Sequence, residues 1–97
     1  MPTFIVLTNW TEQGIKAFED SPSRAEAGRE EMAKLGVSRR EIFWTVGPYD
    51  EVLICDAPDI ESMTAAALRM GGAGNVRTTT LRAYTREEFN QIAQRAR

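Results

Sequence analysis

The chain has 97 residues, 42% of them apolar and 27% charged, a composition that suits one soluble globular domain over residues 1–97 with a modest core. Its 12 basic and 14 acidic side chains nearly cancel and the basic ones are scattered, which argues against a phosphate-backbone binder, so no nucleic-acid partner is expected. There is no histidine and a single cysteine, Cys55, which excludes an internal disulfide and an ordinary zinc site; no metal and no cofactor are expected.

No apolar run is longer than the four residues of Phe4 to Leu7, far too short for a membrane span, and Met1-Pro2-Thr3 does not open like a signal peptide. A cytoplasmic protein without a membrane partner is expected. The segment TFIVLTNW, rich in β-branched and aromatic residues, predicts a first strand over about residues 3 to 9, and Thr11 then suits a helix N-cap ahead of EQGIKAFED. Ser21-Pro22 reads as N-cap and first helical residue, followed by Ala25, Gly28, Met32 and Leu35 at helical spacing and by Gly36 as the stop. The crossover is thus helical, with a break near Asp20.

From Arg40 to Val46 the residues alternate as in a half-buried strand, and GPYD turns the chain into a third strand, EVLICDA. Pro48 fits the first central position of a type I turn. Pro58 suits the first position of a helix whose apolar stripe is Met63, Ala66, Ala67 and Met70, and GGAG closes it. NVRTTTLRAY predicts a fourth strand, and Thr85 with Glu88 has capping-box spacing before a C-terminal helix carrying Phe89, Ile92, Ala93 and Ala96. The order βαββαβ with two right-handed crossovers is that of a ferredoxin-like α+β fold: an antiparallel sheet with strands one and three central, plus an extra C-terminal helix.

Strand one carries Phe4 and Val6 on one side and Ile5 and Leu7 on the other; strand three opposes Val52 and Ile54 to Leu53 and Cys55. Both central strands are therefore apolar on both faces, and helices can cover only one. A homodimer, or a larger oligomer, packed through the other face is expected, with burial under the chain's own C-terminal helix as the alternative.

Few residues are left for chemistry. GGAG follows a helix and precedes a strand, the reverse of a phosphate loop. Asp56, Asp59 and Glu61 lack the spacing of a calcium loop, and Cys55 reads as a buried apolar residue without a base. The strand-end residues Asn9 and Trp10, with Asp56 and Arg77, are expected to line one rim of the sheet. Asn9, Trp10, Trp44, Arg77 and Thr79 form the candidate ligand set: an amide, aromatic walls and an arginine fork for a small molecule. GPYD is placed at the opposite end, roughly 20 Å away at about 3.3 Å per strand residue.

The residues Gly47, Tyr49 and Asp50, together with NWTEQGIKAFEDSPSR, FWTVGPYDEVLICDAPD and GNVRTTTLRAYTREEF, make the chain resemble the GYD domain family. The resemblance implies a small ferredoxin-like domain of the dimeric α/β barrel type with no established activity. It also implies a likeness to the effector-binding domains of feast/famine regulators, in which such a hairpin lies in an oligomer interface and small molecules bind between subunits. For this chain it implies a small-ligand-binding or oligomerisation module with a pocket at the subunit boundary and with Gly47, Tyr49 and Asp50 as the hairpin or interface motif. The alternative, less favoured in a chain without histidine, is a cofactor-independent enzyme of the monooxygenase or isomerase kind that shares the barrel.

Overall fold

A computed structural model describes all of residues 1–97. The elements in chain order are β1 (Thr3–Trp10), α1 (Glu12–Lys16) leading through a 3-10 turn (Phe18–Asp20) into α2 (Ser21–Lys34), β2 (Ser38–Trp44), β3 (Glu51–Asp56), α3 (Ile60–Gly72), β4 (Val76–Ala83) and α4 (Arg86–Arg95). The sheet order is β2-β3-β1-β4, with every neighbouring pair antiparallel. This is the ferredoxin-like α+β arrangement, and the break in the first crossover falls at Phe18–Asp20 as the sequence suggests.

Caps fall where short polar side chains stand ahead of helical stretches. Thr11 accepts from the Gly14 amide at 3.1 Å, and Thr85 and Glu88 form a reciprocal capping box. Elsewhere the boundaries differ from the sequence reading. α2 begins at Ser21 itself, whose backbone is already helical at φ −55° and ψ −44°; its hydroxyl donates to the Glu51 carboxylate at 2.9 Å and accepts from Trp44 Nε1 instead of capping its own helix. α3 begins at Ile60, not at Pro58, because Asp59 is the N-cap and accepts from the Ser62 amide at 2.7 Å. β2 runs two residues ahead of its expected span, and a register shift between Arg39 and Glu41 interrupts its pairing.

On the helix-covered face, alternate residues of β1 and β3 are buried: Phe4, Val6 and Thr8, and Glu51, Leu53 and Cys55. Phe4, Val6, Leu53 and Cys55 join Met32, Met63, Ala66, Val37 and Ala57 in one core cluster. It fills the end of the sheet where β1 begins. The opposite face carries Ile5, Leu7, Val52 and Ile54, flanked by Phe43 at 53% and Leu81 at 44% exposure. α4 buries none of its own residues and leaves this face uncovered.

Candidate functional site

Where β1 ends, the helices and the sheet line a half-open cavity of about 340 Å³. The cause lies in side-chain size: α2 presents Ala25 and Gly28 there and the end of α3 presents Ala73, too small to reach the strands, whereas Met32 and Met63 fill the other end. The floor is formed by Thr8, Trp10, Ile42, Glu51, Leu53 and Val76 of the sheet.

The cavity carries polar groups that the protein does not fully satisfy. Thr8 is 2% exposed, yet neither its hydroxyl oxygen nor the buried indole Nε1 of Trp10 has a hydrogen-bond partner within the protein. An unpaired buried polar atom costs about 1–3 kcal/mol, and such groups normally have a partner. Glu51, 7% exposed, accepts from Ser21 at 2.9 Å, and Ser21 in turn accepts from Trp44 Nε1 at 3.0 Å. The first turn of α2 thus faces a carboxylate, which the helix dipole favours.

The arginines on the wall are held by other partners. Arg24 donates to the carbonyls of Ala17 and Gly14 at 2.7 and 3.1 Å, and Arg39 donates to the carbonyl of Ala25 at 2.8 Å with Glu26 3.9 Å away. Burial draws the Arg39 guanidinium below its ordinary value, while Glu26 pulls the other way. At the mouth, Arg69 meets Glu31 at 2.9 Å.

The hairpin sits at this same end. Glu51 pairs with Thr8 across β3 and β1, so Asp50 lies beside the end of β1. Its Oδ2 accepts from the Trp10 amide at 2.9 Å, and its own amide donates to the Thr8 carbonyl at 2.8 Å. The Thr45 hydroxyl donates to the Tyr49 carbonyl at 2.6 Å, and the Thr45 amide to the Asp50 carbonyl at 2.9 Å. Gly47 has φ 129°, a left-handed conformation that side chains rarely adopt. Glycine and aspartate in this loop therefore fix the end of β1, and with it Trp10.

The placement corrects two expectations. Asp56 is not on the Trp10 rim: it pairs with Thr3 at the other end of the sheet, where it accepts from Arg40 at 2.7 Å and from the Thr3 hydroxyl at 3.0 Å. Nor is GPYD distant from Trp10, because a crossover makes β2 parallel to β1, so both strands finish at one end and the hairpin follows. Of the candidate ligand set, Trp10 and Trp44 lie on the helix face, whereas Asn9, Arg77 and Thr79 lie on the open face, where Asn9 pairs with Arg77 and Leu7 with Thr79. The sheet separates the two groups. Thr8, Ser21, Arg24 and Glu51 are not among the sequence candidates; the available signal is Glu51, an acid in phase with the buried Leu53 and Cys55.

The family model for the GYD domain matches residues 4–93, nearly the whole chain and the whole of the site. The chain belongs to the GYD domain family. A relative named "Glutamine synthetase and cystathionine beta-lyase binding protein", from Thermus thermophilus, is 34% identical over 84 residues, covering 86% of this chain and 88% of that protein. A crystal structure of a Thermus thermophilus protein is similar with a TM-score of 0.56 and 28% identity, spanning 89% of this chain and 100% of the other. In this GYD domain the glycine and aspartate of the motif serve the strand end that carries Trp10. The half-buried Tyr49 contributes its carbonyl to the same loop. No helix is long and apolar enough to cross a membrane.

Proposed function

We propose that this GYD domain is a protein-binding module that associates with a second copy of itself through the open sheet face and holds a small ligand in the half-open cavity between its helices and sheet. One observation carries the self-association: Ile5, Leu7, Val52 and Ile54 form a continuous apolar strip on the two central strands, bordered by Phe43 and Leu81 and left bare by α4. Burying such a strip returns about 25 cal/mol per Å² of apolar surface. A two-fold pairing places like strips on each other without a further partner. The relative named for binding two enzymes supports a role in holding other proteins. Such proteins would meet the surface that remains outside the paired sheets.

Light scattering in solution tests the pairing. A mass near twice 10.9 kDa is expected, and Ile54→Lys should return it to a single subunit while Leu68→Lys, on an exposed helical position, should not. A single-subunit mass for the unaltered chain at micromolar concentration rejects the pairing.

The ligand reading rests on the cavity of about 340 Å³ and its unpartnered polar atoms. A bound ligand at about a hundredfold its Kd stabilises the fold by about 2.7 kcal/mol, readily visible as a rise in melting temperature.

A further inference from the structure

The C-terminal helix α4 is firmly capped and has nothing to pack on. Phe89, Ile92, Ala93 and Ala96 recur at spacings of three and four and so form one apolar side, yet all four are exposed, Phe89 by 59%. A helix of three turns is marginal in water without a partner for such a side. Its own sheet does not supply one. Arg82 lies on the helix-covered side of β4, opposite Phe4 in the register and 5.7 Å from that ring, and it reaches both the Tyr84 ring at 4.3 Å and Glu88 at 3.8 Å. The first turn of α4 is thereby tied away from the open face. The helix projects: the longest dimension of the chain is 50 Å, whereas a strand of eight residues spans roughly 26 Å.

We infer that α4 pairs antiparallel with α4 of a second copy, a contact separate from the open sheet face and not dependent on it. Complementarity of charge and size selects this occupant. Glu88 and Arg95 are seven residues apart, two helical turns, and so share one flank of the apolar side. A two-fold axis across the pair near Gln91 and Ile92 maps that flank onto itself, which brings Glu88 of each copy opposite Arg95 of the other. Arg95 has no counter-ion within its own chain. The same axis sets Phe89 of each copy against the small Ala93 and Ala96 of the other, a ridge into a groove. A parallel pair would instead bring the acidic first turns together and align the two helix dipoles. The opposite flank carries Arg86 and, past the last helical residue, Arg97. Ten helical residues a side fall short of the roughly 20–30 of a standard interface, so the pair is weak, with a Kd of about 0.1–1 mM. At micromolar concentration the sheet contact alone sets the mass.

The test is a dilution series on the Ile54→Lys chain, which removes the sheet contact, from about 2 mM to about 0.05 mM, a range that spans the expected Kd. Backbone amide NMR signals and sedimentation equilibrium are read together. Shifts with concentration are expected at Phe89, Ile92, Ala93 and Ala96 with Leu68 steady, and a mass rising from 10.9 kDa towards twice that value. Phe89→Glu, at an exposed position, should abolish both changes. Arg95→Glu should weaken the pairing about threefold or more, whereas Arg86→Glu, the same change of charge on the other flank, should not. Should Ile54→Lys not fold, the unaltered chain gives the same reading as growth of mass beyond its micromolar value. No concentration dependence at α4 up to about 2 mM overturns the proposal and leaves the sheet pairing, judged from the micromolar mass, untouched. Dependence that survives Phe89→Glu overturns it likewise. Equal weakening by Arg86→Glu and Arg95→Glu overturns the antiparallel arrangement.

Discussion

The carboxylate of Asp50 accepts a hydrogen bond from the backbone amide of Trp10 at 2.9 Å, across forty positions of sequence. Through it the GPYD corner of the hairpin determines where β1 stops and where the Trp10 indole lies. The carboxylate is acceptor and charge at once, so the bond is stronger than a neutral one.

Asp50→Ala should therefore cost about 1.5–3 kcal/mol of stability, the usual contribution of a hydrogen bond to a charged group, read from urea unfolding. Asp50→Asn keeps an acceptor and should cost less. Equal losses in the two variants would assign the effect to packing and not to the bond.

Gly14 offers a sharper steric case. A Cβ there would lie 2.0 Å from the backbone oxygen of Asn75, which already accepts from the Thr11 amide at 3.0 Å. Gly14→Ala has to push α1 away from the turn before β4 and should destabilise by about 1–3 kcal/mol, as overpacking commonly does. Gly28 has nothing within 4 Å of such a Cβ. Gly28→Ala in mid-helix should instead stabilise by about 0.5–1 kcal/mol in the same thermal or urea assay.

Cys55 is fully buried, and burial pushes its thiol up from 9.0 to about 11. The folded state then holds its proton more tightly than the unfolded chain does, so its contribution to stability is complete below pH 9 and declines between pH 9 and about 11. A thiol reagent at pH 8 should modify the native protein no faster than it unfolds and react at once in urea. Rapid reaction without denaturant would contradict the burial.

At the other end of the sheet, hydrogen bonds from Arg40 hold the Asp56 carboxyl below its ordinary 3.8, with the Thr3 hydroxyl adding to the effect. A depressed folded value means that the pair stabilises above about pH 4 and that this is lost as acid protonates Asp56. Arg40→Gln should lower stability above about pH 4 by what a half-exposed pair contributes, about 0–1 kcal/mol, and leave it unchanged where Asp56 is protonated, so that the acid limb flattens by that same amount. An unchanged acid limb would remove Arg40 as the cause.

Much of the architecture follows from local sequence. The helical crossover with its break at Asp20, the Thr11 cap, the Thr85 capping box and the two-sided apolar character of β1 and β3 are all set by residue type and spacing within a few positions. These features depend on short-range sterics and hydrogen bonding, which the chain carries with it. The second apolar face belongs here too, since strand alternation alone requires it, whereas its being left open is decided by the packing of α4. Which alternate set it comprises is decided by the helices, which cover Phe4 and Leu53 and leave Ile5 and Val52.

The site depends on tertiary structure. Strand direction brings the hairpin to Trp10 and sends Asp56 to the far end, and the sheet itself divides Trp10 and Trp44 from Asn9, Arg77 and Thr79. The cavity exists because small residues on two separate helices face the same stretch of sheet. Sequence spacing specifies which side of a strand or helix a residue occupies. What stands opposite that side, at what distance and with which partners already taken, is fixed only when all the elements pack together.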